Sequence, residues 1–132
     1  MATKRMSIMG TQHVISAGHY LAAHAGFEVL EAGGNAIDAG VAAGIAIGVL
    51  QTDKVNFAGV APQIIYTAKN KKVHCIDGLG VWPKMITPDY FMKRHGGKIP
   101  KGVERCVVPA APDAWLTALE HFGTMSFGDV AS

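Results

Sequence analysis

The sequence has few charged and few aromatic residues, and it has no apolar run long enough for a membrane. Charged residues make up 17% of the 132 positions and aromatic residues 8%, while apolar residues make up 49%. A composition this apolar excludes a disordered chain. The most apolar run, Val41 to Leu50, is well short of the roughly 20 residues that a membrane helix needs. We therefore expect no membrane partner.

Motifs that bind nucleotides or metals are also missing. The sequence contains no glycine-rich phosphate loop and no Gly-x-Ser-x-Gly nucleophile turn. Its six histidines either fall in separate predicted elements or, like His19 and His24, point to different sides of one helix. His74 and Cys75 are neighbours on a predicted strand and so face opposite ways. We expect no metal and no organic cofactor.

Two cysteines, Cys75 and Cys106, are too few for a disulfide framework. We expect both to be buried free thiols, with a disulfide as the less favoured alternative. Lys4 and Arg5 could begin a signal peptide, but no long apolar stretch follows them. We therefore expect a cytoplasmic protein.

The net charge of +2 is too small to indicate a polyanionic partner. Basic residues nevertheless outnumber acidic residues by nine to three between Lys69 and Arg105. A nucleic-acid-binding domain is therefore kept as a weak third alternative, although solvated lysines on loops explain the bias better. We expect no nucleic-acid partner.

The patterns that are present predict an α+β fold. Apolar residues recur at three- and four-residue steps from about Ala17 to Ala32, which predicts a helix that Ser16 can cap and Gly33-Gly34 ends. Asn35 is placed to cap a second helix, which runs to about Leu50.

The second predicted helix is apolar on every side, which is typical of a buried helix. Gly40, Gly44 and Gly48 are four residues apart and predict a smooth groove that another backbone could approach closely. Asp38 lies in the first turn, where the helix dipole favours an acid. Because such a helix needs partners, we expect the isolated 132 residues to aggregate or to need a partner chain.

The second half of the chain alternates short strands and helices. Residues 51–61 are predicted to form an irregular loop. Strands are predicted at 63–68, 72–77 and 106–108, helices at 88–95 and 112–122, and a further helix after a Ser126 cap. The sequence ends one turn into this last helix, so we expect an incomplete domain.

One stretch resembles a known protein family. Residues 19–39 read HYLAAHAGFEVLEAGGNAIDA, and the Gly-Gly-Asn-Ala-Ile-Asp-Ala segment resembles the N-terminal signature of the gamma-glutamyltranspeptidase family. Similar segments follow in the family's order and spacing at Tyr66, Asp77-Gly78, Thr87–Phe91, Val108-Pro109 and Phe122-Gly123. The resemblance covers about residues 8 to 130.

The resemblance implies an N-terminal nucleophile hydrolase, which is a four-layer αββα sandwich. Residues 1–132 would be the N-terminal segment of its large subunit. Precursors of this family cut themselves in two, and the new N-terminal threonine of the small subunit attacks an amide with its own α-amine as the base. That threonine lies beyond Ser132 in the family, and removal of Met1 would expose Ala2, which has no nucleophile.

We therefore expect a self-processing amidohydrolase or acyltransferase whose nucleophile comes from outside this chain. Its partners would be the rest of the large subunit and a threonine-led small subunit, which together make a heterodimer. Residues 1–132 alone would not be catalytic, and no catalytic residue is assigned among them.

One departure from the family pattern affects the acyl group. The family carries an arginine, in an Asp-x-Arg-Glu segment, that binds the α-carboxylate of the glutamyl group, and the matching position here is Leu79. Leucine cannot form that bidentate ion pair. We therefore expect a small-molecule amide with a non-glutamyl acyl group, and an apolar acyl pocket lined by Leu79 and Trp82. Core packing is the alternative interpretation for both residues.

A second departure affects a loop. The family's glycine-rich loop corresponds here to residues 52–61, in which only Gly59 of those glycines is kept. Asp53, Lys54 and Asn56 become candidate contacts for a different acyl group, with ordinary loop polar residues as the alternative. The altered loop also leaves open a different class of function, a catalytically inactive scaffold that acts as a binding or assembly protein.

Overall fold

A computed structural model describes residues 7–132. Ala2, Lys4 and Arg5, which bear on the export and processing predictions, lie outside the described residues. The elements are α1 (Tyr20–Glu31), α2 (Ala36–Leu50), β1 (Gln63–Thr67), β2 (Lys72–Ile76), α3 (Pro88–His95), a 3-10 helix (Val103–Arg105), α4 (Ala111–Phe122) and α5 (Phe127–Ala131). The mixture of helices and an antiparallel hairpin confirms the α+β class. Among these helices, none has the length and apolar character to cross a membrane.

Helix α2 lies at the centre of the fold, where it packs against α1, α4 and α5. Asn35 caps it as predicted, since its side chain accepts hydrogen bonds from the backbone N–H groups of Ile37 and Asp38. Small side chains let the helices approach closely. The core consists of Val29, Ala39, Val41, Ala42, Ile65, Ala111, Trp115, Ala118, Leu119 and Val130.

The predicted glycine groove of α2 is occupied differently along its length. A Cβ added at Gly44 would lie 3.1 Å from Nε1 of Trp115, so the indole ring of α4 fills the groove there. A Cβ at Gly48 would lie 3.9 Å from the Cα of Asn56, whereas one at Gly40 would meet nothing within 4 Å among the described residues. A side chain, rather than a backbone, therefore makes the closest contact with this groove.

Helix α1 begins three residues later than predicted. Its cap is His19, whose Nδ1 accepts the Leu21 N–H at 3.2 Å, and the predicted cap Ser16 lies upstream of a bend at Gly18. An imidazole nitrogen thus provides the acceptor that a serine hydroxyl was expected to provide.

The predicted strand at 106–108 is wrong. The backbone N–H of Val108 donates to the carbonyl oxygen of Val81 at 2.8 Å, but this single bond is not extended into a ladder. The chain just before it forms the 3-10 helix instead. The prediction of buried thiols is also wrong, because Cys75 and Cys106 are both exposed; both are free, as expected.

The β1–β2 hairpin is antiparallel, with Ile65 opposite His74. The Ile65 side chain is buried in the core, whereas Ile64, Tyr66 and Val73 are exposed. Alternation along each strand therefore gives the hairpin one face toward the helices and one open apolar face.

Candidate functional site

The segment that resembles the family most closely forms a buried joint at the start of α2. The Asp38 carboxylate accepts hydrogen bonds from the Asn35 N–H at 2.8 Å, the Thr124 N–H at 3.0 Å and the Thr124 hydroxyl at 2.6 Å. The Asn35 side-chain amide donates to the carbonyl oxygen of Phe122 at 2.7 Å. We call Asn35, Asp38 and Thr124 the Asp38 cluster. Its hydrogen bonds connect the segment between α4 and α5 to the start of α2.

The electrostatics of the Asp38 cluster suit a structural role. Burial raises the pKa of Asp38, but hydrogen bonds from the Thr124 hydroxyl and from the backbone N–H groups of Asn35, Thr124 and Met125 outweigh burial and hold the pKa below its ordinary value. Asp38 is completely inaccessible to solvent. A carboxylate that is buried, ionised and surrounded by its own donors is not available to a substrate.

The two departures from the family pattern lie side by side. The backbone N–H of Ala61, at the end of the loop, donates to the carbonyl oxygen of Gly78 at 2.9 Å. The carbonyl oxygen of Gly59 accepts from the N–H groups of Ala110 and Ala111 at 3.3 and 3.2 Å. We call residues 51–61 and 78–82 the site edge. These bonds hold it against the start of α4.

Leu79 is presented outward at the site edge. It lies between Gly78 and Gly80, whose φ angles are +56° and +73°. A Cβ at Gly78 would come within 2.3 Å of the Ala61 carbonyl oxygen, and one at Gly80 within 2.2 Å of the Val108 carbonyl oxygen, so both positions need glycine. Leu79 itself is 47% exposed, so residues 7–132 do not bury it in a core.

Trp82 packs within the described residues. Its ring lies 5.1 Å from that of Phe91, centroid to centroid. Its indole Nε1 is buried and has no hydrogen-bond partner in residues 7–132. Whether Trp82 also lines an acyl pocket stays a prediction.

The three polar loop candidates are exposed. Asp53, Lys54 and Asn56 lie within the site edge, and none of their side chains makes a hydrogen bond or an ion pair with another described residue. All five sequence-predicted residues belong to the two segments of the site edge, which the hydrogen bond from Ala61 to Gly78 joins. Their contact with a substrate stays a prediction.

A cluster of ionisable side chains next to the site edge was not predicted. The Tyr90 hydroxyl donates to Oε1 of Glu104 at 2.5 Å, and Nε2 of His95 lies 2.7 Å from Oε2 of Glu104. Arg94 donates to the Tyr90 hydroxyl at 2.7 Å. We call Tyr90, His95 and Glu104 the Glu104 clasp. The hydrogen bond from Tyr90 is the main reason why the pKa of Glu104 is held below its ordinary value.

A cleft near the start of α2 lies apart from the five predicted site residues. A cleft of about 410 Å³ runs between the start of α2 and β1, and Ile37, Gly40, Gln63 and Trp115 are among its lining residues. None of the five predicted site residues lines it. Within residues 7–132, no three His, Cys, Asp or Glu side chains converge in a way that could hold a metal.

The fold has close counterparts among solved structures. It matches the gamma-glutamyltranspeptidase of Helicobacter pylori with a TM-score of 0.83 and 28% identity, over 94% of this chain and 37% of that one. The architecture is therefore that of an N-terminal nucleophile hydrolase, as expected.

The family is shown by a direct match. The gamma-glutamyltranspeptidase family model matches residues 22–132, and the chain belongs to this family. It is 31% identical over 125 residues to the glutathione hydrolase-like YwrD proenzyme of Bacillus subtilis strain 168, which covers 94% of this chain and 24% of that protein. It is 33% identical over 131 residues to the acylase ACY 1 proenzyme of Pseudomonas sp. strain V22, covering 92% of this chain and 23% of that protein. The chain thus spans about a quarter of the length of these curated relatives.

Proposed function

We propose that the complete protein is an amide-bond hydrolase that acts on a non-glutamyl acyl amide. The observation that carries this proposal is Leu79, an outward-facing apolar residue at the position where the family resemblance expects an arginine. An acyl group bearing a carboxylate would lose its ion-pair partner there, whereas an apolar acyl chain would gain a contact. The similarity to a protein named an acylase supports this choice.

The catalytic nucleophile in this proposal is a threonine outside residues 1–132. Residues 1–132 would form the N-terminal segment of the large subunit, and self-cleavage would create a small subunit that begins with the threonine. Its hydroxyl would attack the amide carbonyl and release the amine, and water would then release the acid from the ester formed. The α-amine suits the role of base because such groups titrate near neutral pH. Both curated relatives are named proenzymes, which agrees with such processing.

Denaturing intact mass measurement with N-terminal sequencing tests the nucleophile. We expect the native protein to contain a second polypeptide whose first residue is threonine. A preparation with no threonine-led chain would contradict the proposal. It would instead favour the catalytically inactive scaffold that the altered loop at 52–61 also suggests.

Two substrates that share a leaving group test the acyl preference. Pentanoyl-p-nitroanilide and γ-glutamyl-p-nitroanilide have acyl chains of similar length, but only the second carries an α-amino acid group. We expect kcat/KM to be higher for the pentanoyl amide. Efficient turnover of the γ-glutamyl amide would overturn the non-glutamyl assignment and leave amide hydrolysis intact.

A further inference from the structure

The Glu104 clasp belongs to a closed ring of contacts around residues 78–82. On one side of the ring, the Trp82 side chain packs on Phe91, and Phe91 is buried in α3. Tyr90 of the same helix donates a hydrogen bond to Glu104, and Nε2 of His95 lies 2.7 Å from Oε2 of Glu104. The clasp therefore links the helix that supports Trp82 to the 3-10 helix.

The ring closes through the backbone after the 3-10 helix. The Cys106 N–H donates to the Val103 carbonyl oxygen at 2.9 Å, and the Val108 N–H donates to the Val81 carbonyl oxygen at 2.8 Å. Gly80 lies directly against the Val108 carbonyl oxygen. Residues 78–82 are thus held from two directions, by α3 and by the chain that follows Glu104.

Residues 78–82 depend on this external support. Gly78 and Gly80 have left-handed backbone conformations, and glycine gives a segment little stiffness of its own. Hydrogen bonds to an ionised carboxylate are shorter and stronger than neutral ones. The hydrogen bond from Tyr90 to Glu104 is the link of the ring that is of this kind.

We propose that Glu104 is a positioning residue that fixes residues 78–82, and with them Leu79, in the place where the acyl group of the substrate binds. The Glu104 clasp is linked to residues 78–82 by the packing of Trp82 on Phe91 and by the hydrogen bond from Val108 to Val81. Its consequence for acyl selectivity rests on the proposed function.

Hydrogen–deuterium exchange of the complete protein tests the link without using activity. Tyr90→Phe removes the hydroxyl that donates to Glu104 and accepts from Arg94, and Glu104→Gln removes the charge. We expect the peptides that contain Ala61 and 106–108 to exchange about fivefold faster in both variants, because the N–H groups of Ala61 and Val108 donate to the carbonyl oxygens of Gly78 and Val81. Fivefold is about the factor that corresponds to one net hydrogen bond. Unchanged exchange in these peptides would overturn the positioning role. Tyr90→Phe is the milder change and decides the question if Glu104→Gln does not fold.

A matched control comes from the end of the chain. Asp129 is also a carboxylate held by a hydroxyl, since Ser126 donates to its Oδ2 at 2.6 Å, and hydrogen bonds from Ser126 lower its pKa. Asp129→Asn should leave exchange in the peptides that contain Ala61 and 106–108 unchanged. Faster exchange there in this control would show that general loosening causes the effect, and it would overturn the specific role of the clasp.

Kinetics of the same variants test selectivity. We expect Tyr90→Phe to raise KM for pentanoyl-p-nitroanilide about fivefold with little change in kcat, because a displaced Leu79 weakens binding and leaves the threonine in place. An equal loss for the pentanoyl and γ-glutamyl amides would contradict a role in acyl recognition. A wild-type preference for the γ-glutamyl amide would overturn the proposed function alone, because the exchange experiment still decides the positioning role.

Discussion

The two ends of helix α2 differ sharply. At its start, Asp38 is buried and its carboxylate accepts hydrogen bonds from side chain and backbone donors, including Thr124. Just beyond its end, Asp53, Lys54 and Asn56 are exposed and free of side-chain hydrogen bonds to other described residues. The start joins elements that lie 86 positions apart in the sequence, whereas the end leads into the site edge.

This difference separates residues that stabilise the fold from residues whose side chains are exposed and free to contact other molecules. The Gly-Gly-Asn-Ala-Ile-Asp-Ala segment resembles the family most specifically, yet its polar side chains hold helices together. The departures from the family pattern lie instead where side chains are exposed and glycines shape the backbone. A family signature can therefore identify the scaffold, whereas our proposal assigns recognition of the acyl group to the exposed departures from that signature.

The largest effect should follow the loss of the Asp38 carboxylate. We expect Asp38→Ala to lower the free energy of unfolding by about 3 kcal/mol, because it leaves several buried donors without a partner. Urea unfolding of the complete protein measures this. Asp129→Ala removes an exposed carboxylate of a capping box and should cost much less than Asp38→Ala. Equal losses in the two variants would contradict the contrast between buried and exposed carboxylates.

The pH dependence of the unfolding free energy should also report the contribution of the Asp38 cluster. The pKa of Asp38 is held below its ordinary value of 3.8, so the folded protein binds this proton more weakly than the unfolded chain does. The stabilisation is therefore complete above the ordinary pKa and is lost as the pH falls through the folded value. We expect the unfolding free energy to decrease from about pH 5 downward, and Asp38→Asn to flatten that decrease. A variant with an unchanged slope would exclude Asp38 as its source.

A smaller change in stability should distinguish alanine substitutions at two glycines of α2. Gly40→Ala should stabilise the protein by about 0.5–1 kcal/mol, since alanine favours a helix and a Cβ meets no described residue there. Gly44→Ala should gain less, because its Cβ would press on Trp115. Thermal unfolding of both variants checks the order. Destabilisation by Gly40→Ala would show that another part of the complete protein covers this position.

The smallest effect on stability should come from the site edge. Alanine substitutions at Asp53, Lys54 and Asn56 should each change the unfolding free energy by less than about 0.5 kcal/mol, because exposed side chains without partners contribute little. Their effect on kcat/KM for the pentanoyl amide then reports substrate contact directly. A large loss of stability in any of them would show that it is a structural residue.

Local patterns predicted much of the fold because caps and hairpin turns are local interactions. Asn35 as the cap of α2 and Ser126 as the cap of α5 needed only neighbouring residues, and both are confirmed. The cap of α1 was missed because histidine is an unusual capping residue. Its Nδ1 accepts the backbone hydrogen bond that the Ser16 hydroxyl was expected to accept.

Interactions between distant residues could not be predicted in the same way. Thr124 reaches Asp38 across 86 positions, and Glu104 reaches Tyr90 across 14, so no spacing rule connects them. The five candidate site residues came from comparison with a family pattern. That comparison located the site edge, but it could not show that Gly78 and Gly80 turn Leu79 outward or that a clasp supports this segment.

The most direct test of the proposed acyl preference is to restore the arginine that Leu79 replaces. Leu79→Arg should lower kcat/KM for pentanoyl-p-nitroanilide and raise it for the γ-glutamyl amide, because the guanidinium supplies a partner for the α-carboxylate. Met85→Arg adds the same charge at another exposed position and should change neither value. A ratio of the two kcat/KM values that stays the same in Leu79→Arg would contradict the claim that this position selects the acyl group.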